Sequence, residues 1–235
     1  MSIDPSSKCE ESLVATSLLD GQQVPIQTVF GIGRNYAAHA RELNHCLPTT
    51  PVVFLKPTTS LIQDGGTILL PSESSDVQHE VEIVLLLGGG GRNLSREDAL
   101  TRVAGYGVGI DVTARDLQRR AQAEGNPWTI AKGFDTFAPI SRFIPARQVP
   151  EPGNLAFDLS VNGQTRQSGN SRDMLFSFGE IISFLSRIFS LRKGDIIFTG
   201  TPEGVARIEP RDVLQARLTN HGVTLNVSVA QAPSR

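Results

Sequence analysis

Many short apolar runs, most of them closed by glycine or proline, predict a strand-rich α+β fold. Clean apolar–polar alternation marks Ala156 to Val161 and the stretch Val213 to Val229 as strands with one buried face. Only a few helices are interspersed, and Ser177 to Leu191 is the best amphipathic one, with Ile181, Ile182, Leu185, Ile188 and Phe189 on one side.

Taken along the chain, residues 1–23 are polar with scattered apolar positions. They read as an N-terminal arm carrying a short strand around Ser12 to Leu19. A single domain is expected from residue 24 to residue 235. Val29 to Gly33 reads as a buried strand ending on glycine. Asn35 then sits where a helix N-cap would, with about two helical turns from Tyr36 to Leu43. Val52 to Lys56 is a strand bracketed by Pro51 and Pro57, and Thr67 to Leu70 is another. Glu80 to Leu87 is a long apolar strand closed by Gly88 to Gly91, read as a flexible turn without phosphate-loop spacing.

Ser95 and Asp98 form a capping pattern for a short helix. Tyr106 to Asp111 is a glycine-spaced strand, and Thr113 to Glu124 a mostly polar helix stopped by Gly125. After Ala156 to Val161, Asn162-Gly163 signals a hairpin turn. Asp195 to Thr199 is a further strand, and two more flank Asn220-His221-Gly222.

Composition excludes several functions. With 39% hydrophobic and 20% charged residues in 235, the chain is of ordinary globular type. A net charge of -2 argues against a nucleic acid or an anionic membrane as partner. No run approaches the ~20 apolar residues of a membrane span. The two cysteines, Cys9 and Cys46, form no framework, and the N-terminus has no signal-peptide pattern, so a cytoplasmic location is expected.

The chemistry concentrates on acidic residues. Glu80 and Glu82 are two apart at the head of an apolar strand, so both point one way. Two like charges there repel and lose hydration, which a divalent cation bound to both would relieve. The alternative is a solvated strand edge. Asp111 ends another strand, either as a third ligand or as a helix-start acid favoured by the dipole. Three carboxylates would suit Mg²⁺ or Mn²⁺ and not zinc.

Other polar residues have similar double readings. Arg115 and Gln118 are three apart and share a helix face, either solvated or turned toward Asp111, where Arg115 could grip a carboxylate. Lys132 follows an apolar stretch; it is a surface lysine or, if buried, a group placed to stabilise an enolate. His39 and Glu42 are three apart, a solvated face or a dyad that activates water. The turn Gly200-Thr201-Pro202-Glu203-Gly204 has amides and a hydroxyl suited to an anion.

Six segments in this order resemble the fumarylacetoacetate hydrolase family: Gly33 to His39, Phe54 to Pro57, His79 to Glu82, Gly109 to Asp116, Lys132 to Asp135 and Thr199 to Val205. The resemblance runs from about Val24 to the C-terminus. It is similar to the compact branch of acylpyruvases, oxaloacetate decarboxylases and bacterial isomerase/decarboxylases. It implies a mixed β-sandwich roll, usually homodimeric, with Glu80, Glu82 and Asp111 as ligands of Mg²⁺ or Mn²⁺. His39 and Glu42 match a catalytic dyad on a lid helix. Arg115, Gln118, Lys132, Thr201 and Lys56 match substrate-contacting positions, with Lys132 also stabilising an enolate.

The implied activity is cleavage of the carbon–carbon bond of acylpyruvates through a pyruvate enolate. The alternative is decarboxylation of oxaloacetate, or isomerisation and decarboxylation of 2-hydroxyhepta-2,4-diene-1,7-dioate in aromatic-acid degradation. A metal-binding homodimer with weak catalysis is the rival from another class. The expected partner is a small keto acid.

Overall fold

The computed structural model describes residues 15–42 and 46–233. Two mixed sheets face one another. The first has six strands in the order Ile144–Pro145, Val103–Ile110, Val81–Leu87, Ile196–Phe198, Val29–Gly33 and Val52–Lys56. The second has five: Gln164–Asn170, Ala156–Val161, Val213–Leu218, Val223–Gln231 and Thr67–Leu70. Most pairs are antiparallel, but Ile196–Phe198 runs parallel to Val29–Gly33, and Val223–Gln231 parallel to Thr67–Leu70. The expected strand-rich α+β sandwich is therefore the observed one.

Val81–Leu87 is buried on both faces, which explains its unbroken apolar run. Its odd residues Ile83, Leu85 and Leu87 pack in the main core with Leu214, Ala216 and Leu225 of the second sheet. Its even residues Val84 and Leu86 pack in a second core with Leu18, Val24, Ile26 and Phe143. Residues 15–23, read from sequence as an arm, thus close one face of the sheet: Ala15–Ser17 pairs with Gln23–Pro25, and Leu18 is buried. Residues 1–14 lie outside the described chain.

Five helices complete the described fold: α1 (Ala37–Glu42), α2 (Arg96–Leu100), α3 (Arg115–Glu124), α4 (Thr129–Lys132) and α5 (Phe178–Ile188). The Ser95 hydroxyl caps α2 by accepting the Asp98 amide, and Ser177 with Glu180 makes a full capping box on α5. Helix α5 stops at Ile188, which is 52% exposed and so leaves the apolar face expected for it. Thr113 and Ala114, expected as helical, form a short strand against Val77–His79, and α3 starts at Arg115. Gly125 ends α3 in the left-handed conformation, as its position suggests.

Two other local expectations change. Asn35 does not cap α1. Its amide donates to the carbonyls of Thr199 and Phe176 and accepts the Phe176 amide, so it ties two loops together. The glycine run after Leu87 is a close-packed crossing and not a loose turn. Gly91 exchanges backbone hydrogen bonds with Leu191, and a Cβ on Gly90 would meet the Leu191 carbonyl oxygen at 1.9 Å. No helix among the described residues is long and apolar enough to cross a membrane.

Candidate active site

One edge of the six-stranded sheet gathers the polar residues. Val103–Ile110, Ile196–Phe198 and Val29–Gly33 all end there, while Val81–Leu87 begins there, with Val81 opposite Ile110 and Glu82 opposite Gly109. The loops beyond those ends carry Asp111, Thr199 to Gly204, and Arg34 to His39. Strand direction alone brings together residues more than a hundred positions apart.

Glu80 sits at the break between Val77–His79 and Val81–Leu87, and its carbonyl accepts the Asp111 amide at 2.8 Å. Glu80 and Glu82 lie on the same side, as their spacing predicts, and Asp111 joins them. Carboxylate oxygens from the three lie within 4.8 Å of one another, all buried. A solvated strand edge is therefore not what forms. Asp111 also precedes a strand, so it is not a helix-start acid; Asp116 occupies the first turn of α3.

The three carboxylates have unequal surroundings. Burial opposes ionisation of Glu80, but the Lys132 and Arg115 charges outweigh it and hold the carboxyl well below its usual range. Glu82 is pushed well above that range by burial and by the Asp111 and Glu80 charges, which outweigh a 2.7 Å bond from the Gly200 amide and the nearby Lys132 charge. Three oxygen donors that crowd negative charge without water are a donor set for a hard divalent cation. The residues fit such a group.

Cations surround the triad on the protein side. Lys132 Nζ donates to Glu80 Oε2 at 2.7 Å, to Thr113 Oγ1 at 2.7 Å and to Asp111 Oδ2. Burial pulls the Lys132 ammonium down, yet Asp111 and Glu80 outweigh it and raise its pKa. Arg115 binds Glu80 and Gln118 and reaches Gln78 at 2.9 Å. Its fork already holds a protein carboxylate, so α3 presents Arg115 and Gln118 to the cavity as one bonded pair.

Lys56 departs from its expected place. It does not line the cavity. Its ammonium lies behind Asp111, 2.7 Å from Oδ1, and donates to the carbonyls of Phe137, Lys132 and Val112. With those acceptors around it, Lys56 props Asp111 and has no free donor to offer a substrate.

His39 is buried in the same cavity as the triad. Its Nδ1 lies 3.4 Å from Glu42 Oε2, and Glu42 in turn accepts the Gly204 amide at 3.1 Å. Burial lowers the His39 pKa, more than the nearby Glu80 charge raises it. The imidazole is therefore neutral at pH 7, as a base must be. Leu43, where the lid helix was expected to end, lies outside the described residues.

The Gly200-to-Gly204 turn does bind anions, but they are the protein's own: Gly200 serves Glu82 and Gly204 serves Glu42. Thr201 lines the cavity with its hydroxyl engaged, donating to the Val81 carbonyl at 2.8 Å and accepting from Gln167 at 2.9 Å. Gln167 also accepts the Val81 amide and pairs with His79.

The cavity is narrow, about 20 Å³ in volume, and opens to solvent. Its wall also contains Ile32, Gly33, Arg34, Gln122 and Trp128, to which no role was assigned from sequence. Arg34 stood inside a recognised motif, and Gln122 lies one helical turn past Gln118, a spacing that puts the two on one face. Gln167 carried no signal, because its role depends on a contact 86 residues away in the chain.

Known proteins resemble the chain over most of its length. The chain is 44% identical over 206 residues to an oxaloacetate tautomerase of Arabidopsis thaliana, covering 88% of this chain and 92% of that protein. It is 44% identical over 192 residues to an oxaloacetate decarboxylase of Dictyostelium discoideum, covering 81% and 88%. Both relatives are named as mitochondrial. The crystal structure of fumarylpyruvate hydrolase from Pseudomonas aeruginosa, in complex with Mn²⁺ and pyruvate, superposes with a TM-score of 0.89 at 38% identity, covering 94% of this chain and 97% of that one. The family described as fumarylacetoacetate (FAA) hydrolase C-terminal matches residues 28–230. By fold and by that match, the chain belongs to the fumarylacetoacetate hydrolase family.

Proposed function

We propose that this protein acts on short 2-keto acids built on a pyruvate unit, with oxaloacetate as the leading substrate, by tautomerisation or decarboxylation through the pyruvate enolate. The observation that carries this reading is the Lys132 ammonium, buried in the cavity wall against the acidic triad. The relatives named for oxaloacetate support the substrate over the acylpyruvates first expected. Glu80, Glu82 and Asp111 would hold a divalent cation, Mg²⁺ or Mn²⁺, which when bound supplies Lewis acidity for charge building on a keto oxygen.

The chain's own residues do the rest. Lys132, its three donors held by Glu80, Asp111 and Thr113, acts as a fixed positive charge beside the place where the enolate oxygen forms. Arg115, held by Glu80 and backed by Gln118, offers its remaining donor edge to the substrate carboxylate. In decarboxylation the bond to the departing CO₂ gives its electron pair to the keto group, and the enolate is then protonated at carbon. In tautomerisation neutral His39 takes a proton from the methylene carbon and returns it at oxygen.

Hydrolysis of acylpyruvates is the second reading, and the His39–Glu42 contact favours it. There His39 takes a proton from water, and the hydroxide attacks the distal carbonyl. The test follows oxaloacetate and acetylpyruvate with Mg²⁺-loaded protein against Mg²⁺ alone. Enol absorbance reports tautomerisation, and pyruvate formation reports bond cleavage. No acceleration over the metal blank on either substrate would reject both readings. A homodimer is also proposed, and light scattering at a single chain mass would reject it.

A further inference from the structure

The cavity holds one cationic side chain that the chemistry above leaves idle. Arg34 follows directly on the Val29–Gly33 strand, with φ at 58°. A residue with a side chain adopts that left-handed conformation rarely. It turns the chain so that Arg34 lines the cavity beside Ile32, Gly33 and Trp128. Its guanidinium carbon lies 5.8 Å from the centroid of the Trp128 ring, and a cation held on an aromatic face is oriented by it.

The other cations near the site are spoken for. Lys56, Lys132 and Arg115 each pair with Asp111 or Glu80. Those three cations balance the three carboxylates Glu80, Glu82 and Asp111 in number. Arg34 pairs with no carboxylate among the described residues, and its Nε is buried without a hydrogen-bond partner. An unmet donor away from water is costly unless a ligand meets it. A planar, aromatic-backed guanidinium is matched by a carboxylate.

We propose that Arg34 binds the second carboxylate of a dicarboxylic keto acid, at the end distal to the reacting pyruvate unit. It thereby selects such substrates over acylpyruvates with neutral tails. This rests on the keto-acid reading above and extends it from the reacting end to the tail. Buried Ile32 and half-buried Trp128 give the apolar walls beside this ion pair, which limit its access to water and strengthen it.

The test uses two inert analogues with the same head, N-oxalylglycine with a carboxylate tail and N-ethyloxamate with a neutral one. Trp128 is the only tryptophan of the chain, so its emission reports binding next to Arg34. The Mg²⁺-loaded wild type should bind N-oxalylglycine at least about tenfold more tightly, the scale of one lost charge-assisted contact. Arg34→Asn should lose that preference, since asparagine tolerates the left-handed backbone and keeps the turn. Arg34→Lys should restore part of it. The ratio of kcat/KM for tautomerisation of oxaloacetate over cleavage of acetylpyruvate should fall in parallel in Arg34→Asn, because in tautomerisation the distal carboxylate keeps its charge. Equal binding of the two analogues by the wild type, or a preference that survives in Arg34→Asn, would overturn the role of Arg34 alone. Binding of neither would overturn the keto-acid reading and this inference with it.

Discussion

The Lys132 ammonium stands 2.7 Å from a carboxylate oxygen of Glu80, within the cavity wall. One lysine therefore has two duties. It neutralises carboxylates that would otherwise repel, and on the proposed reading it also faces the place where substrate charge develops.

Lys132→Met should separate those duties. Without the ammonium, Glu80 and Asp111 lose a buried partner, which typically costs about 3–5 kcal/mol of stability. Added Mg²⁺ or Mn²⁺ should recover part of that loss, because a cation takes over the neutralisation. Turnover should still fall by roughly 10²–10³. Urea denaturation with and without metal, alongside steady-state kinetics, checks both. Near-wild-type kcat would make Lys132 a purely structural lysine.

Glu82→Gln should abolish the thermal shift that the divalent cation gives the wild type. Saturation at a hundred times Kd is worth about 2.7 kcal/mol, a shift of several degrees. The metal-free variant should be as stable as the wild type or more so, because one buried like charge is gone. Chelator should abolish turnover of the wild type. Full activity after exhaustive chelation would reject the metal requirement.

His39→Ala should lower hydrolysis and tautomerisation by on the order of 10²-fold or more, and decarboxylation less, because only the first two need a base. The pH profile gives a second check. Burial lowers the His39 pKa from the ordinary 6.5, so the ring stays neutral, and active as a base, below that value. Activity should therefore persist as pH falls through 6.5 and drop only at more acid pH. The His39→Ala residual activity should lack that limb. A wild-type limb above 6.5 would count against His39 as the base.

Asn35→Ala should destabilise the fold by about 2–4 kcal/mol, since one buried backbone group of Thr199 and two partly buried ones of Phe176 lose partners together. The loop that carries Gly200 and Thr201 starts at Thr199, so KM should rise with little change in the pH profile. Chemical denaturation and kinetics measure the two. An unchanged midpoint would show that Asn35 is dispensable to the fold.

The determinants legible in the sequence are local ones. Alternation predicts Ala156–Val161, glycine predicts the stop of α3, and the two-residue spacing puts Glu80 and Glu82 on one side, because pleat, turn and cap are set by neighbouring residues. The resemblance of six short segments supplied the order of the site. What needed the tertiary structure is partnership. Parallel pairing of Ile196–Phe198 with Val29–Gly33 brought Asn35 to Thr199, and its antiparallel pairing with Val81–Leu87 brought Gly200 to Glu82. Burial decided that Lys56 stands behind Asp111 while Lys132 lines the cavity, although each is a single lysine at the end of an apolar stretch. Residues 15–23 close over the second core because Val84 and Leu86 need an apolar cover that no sequence pattern specifies. Charge pairing left Arg34 without a carboxylate among the described residues, and such a lack is visible only once Lys56, Arg115 and Lys132 have been placed.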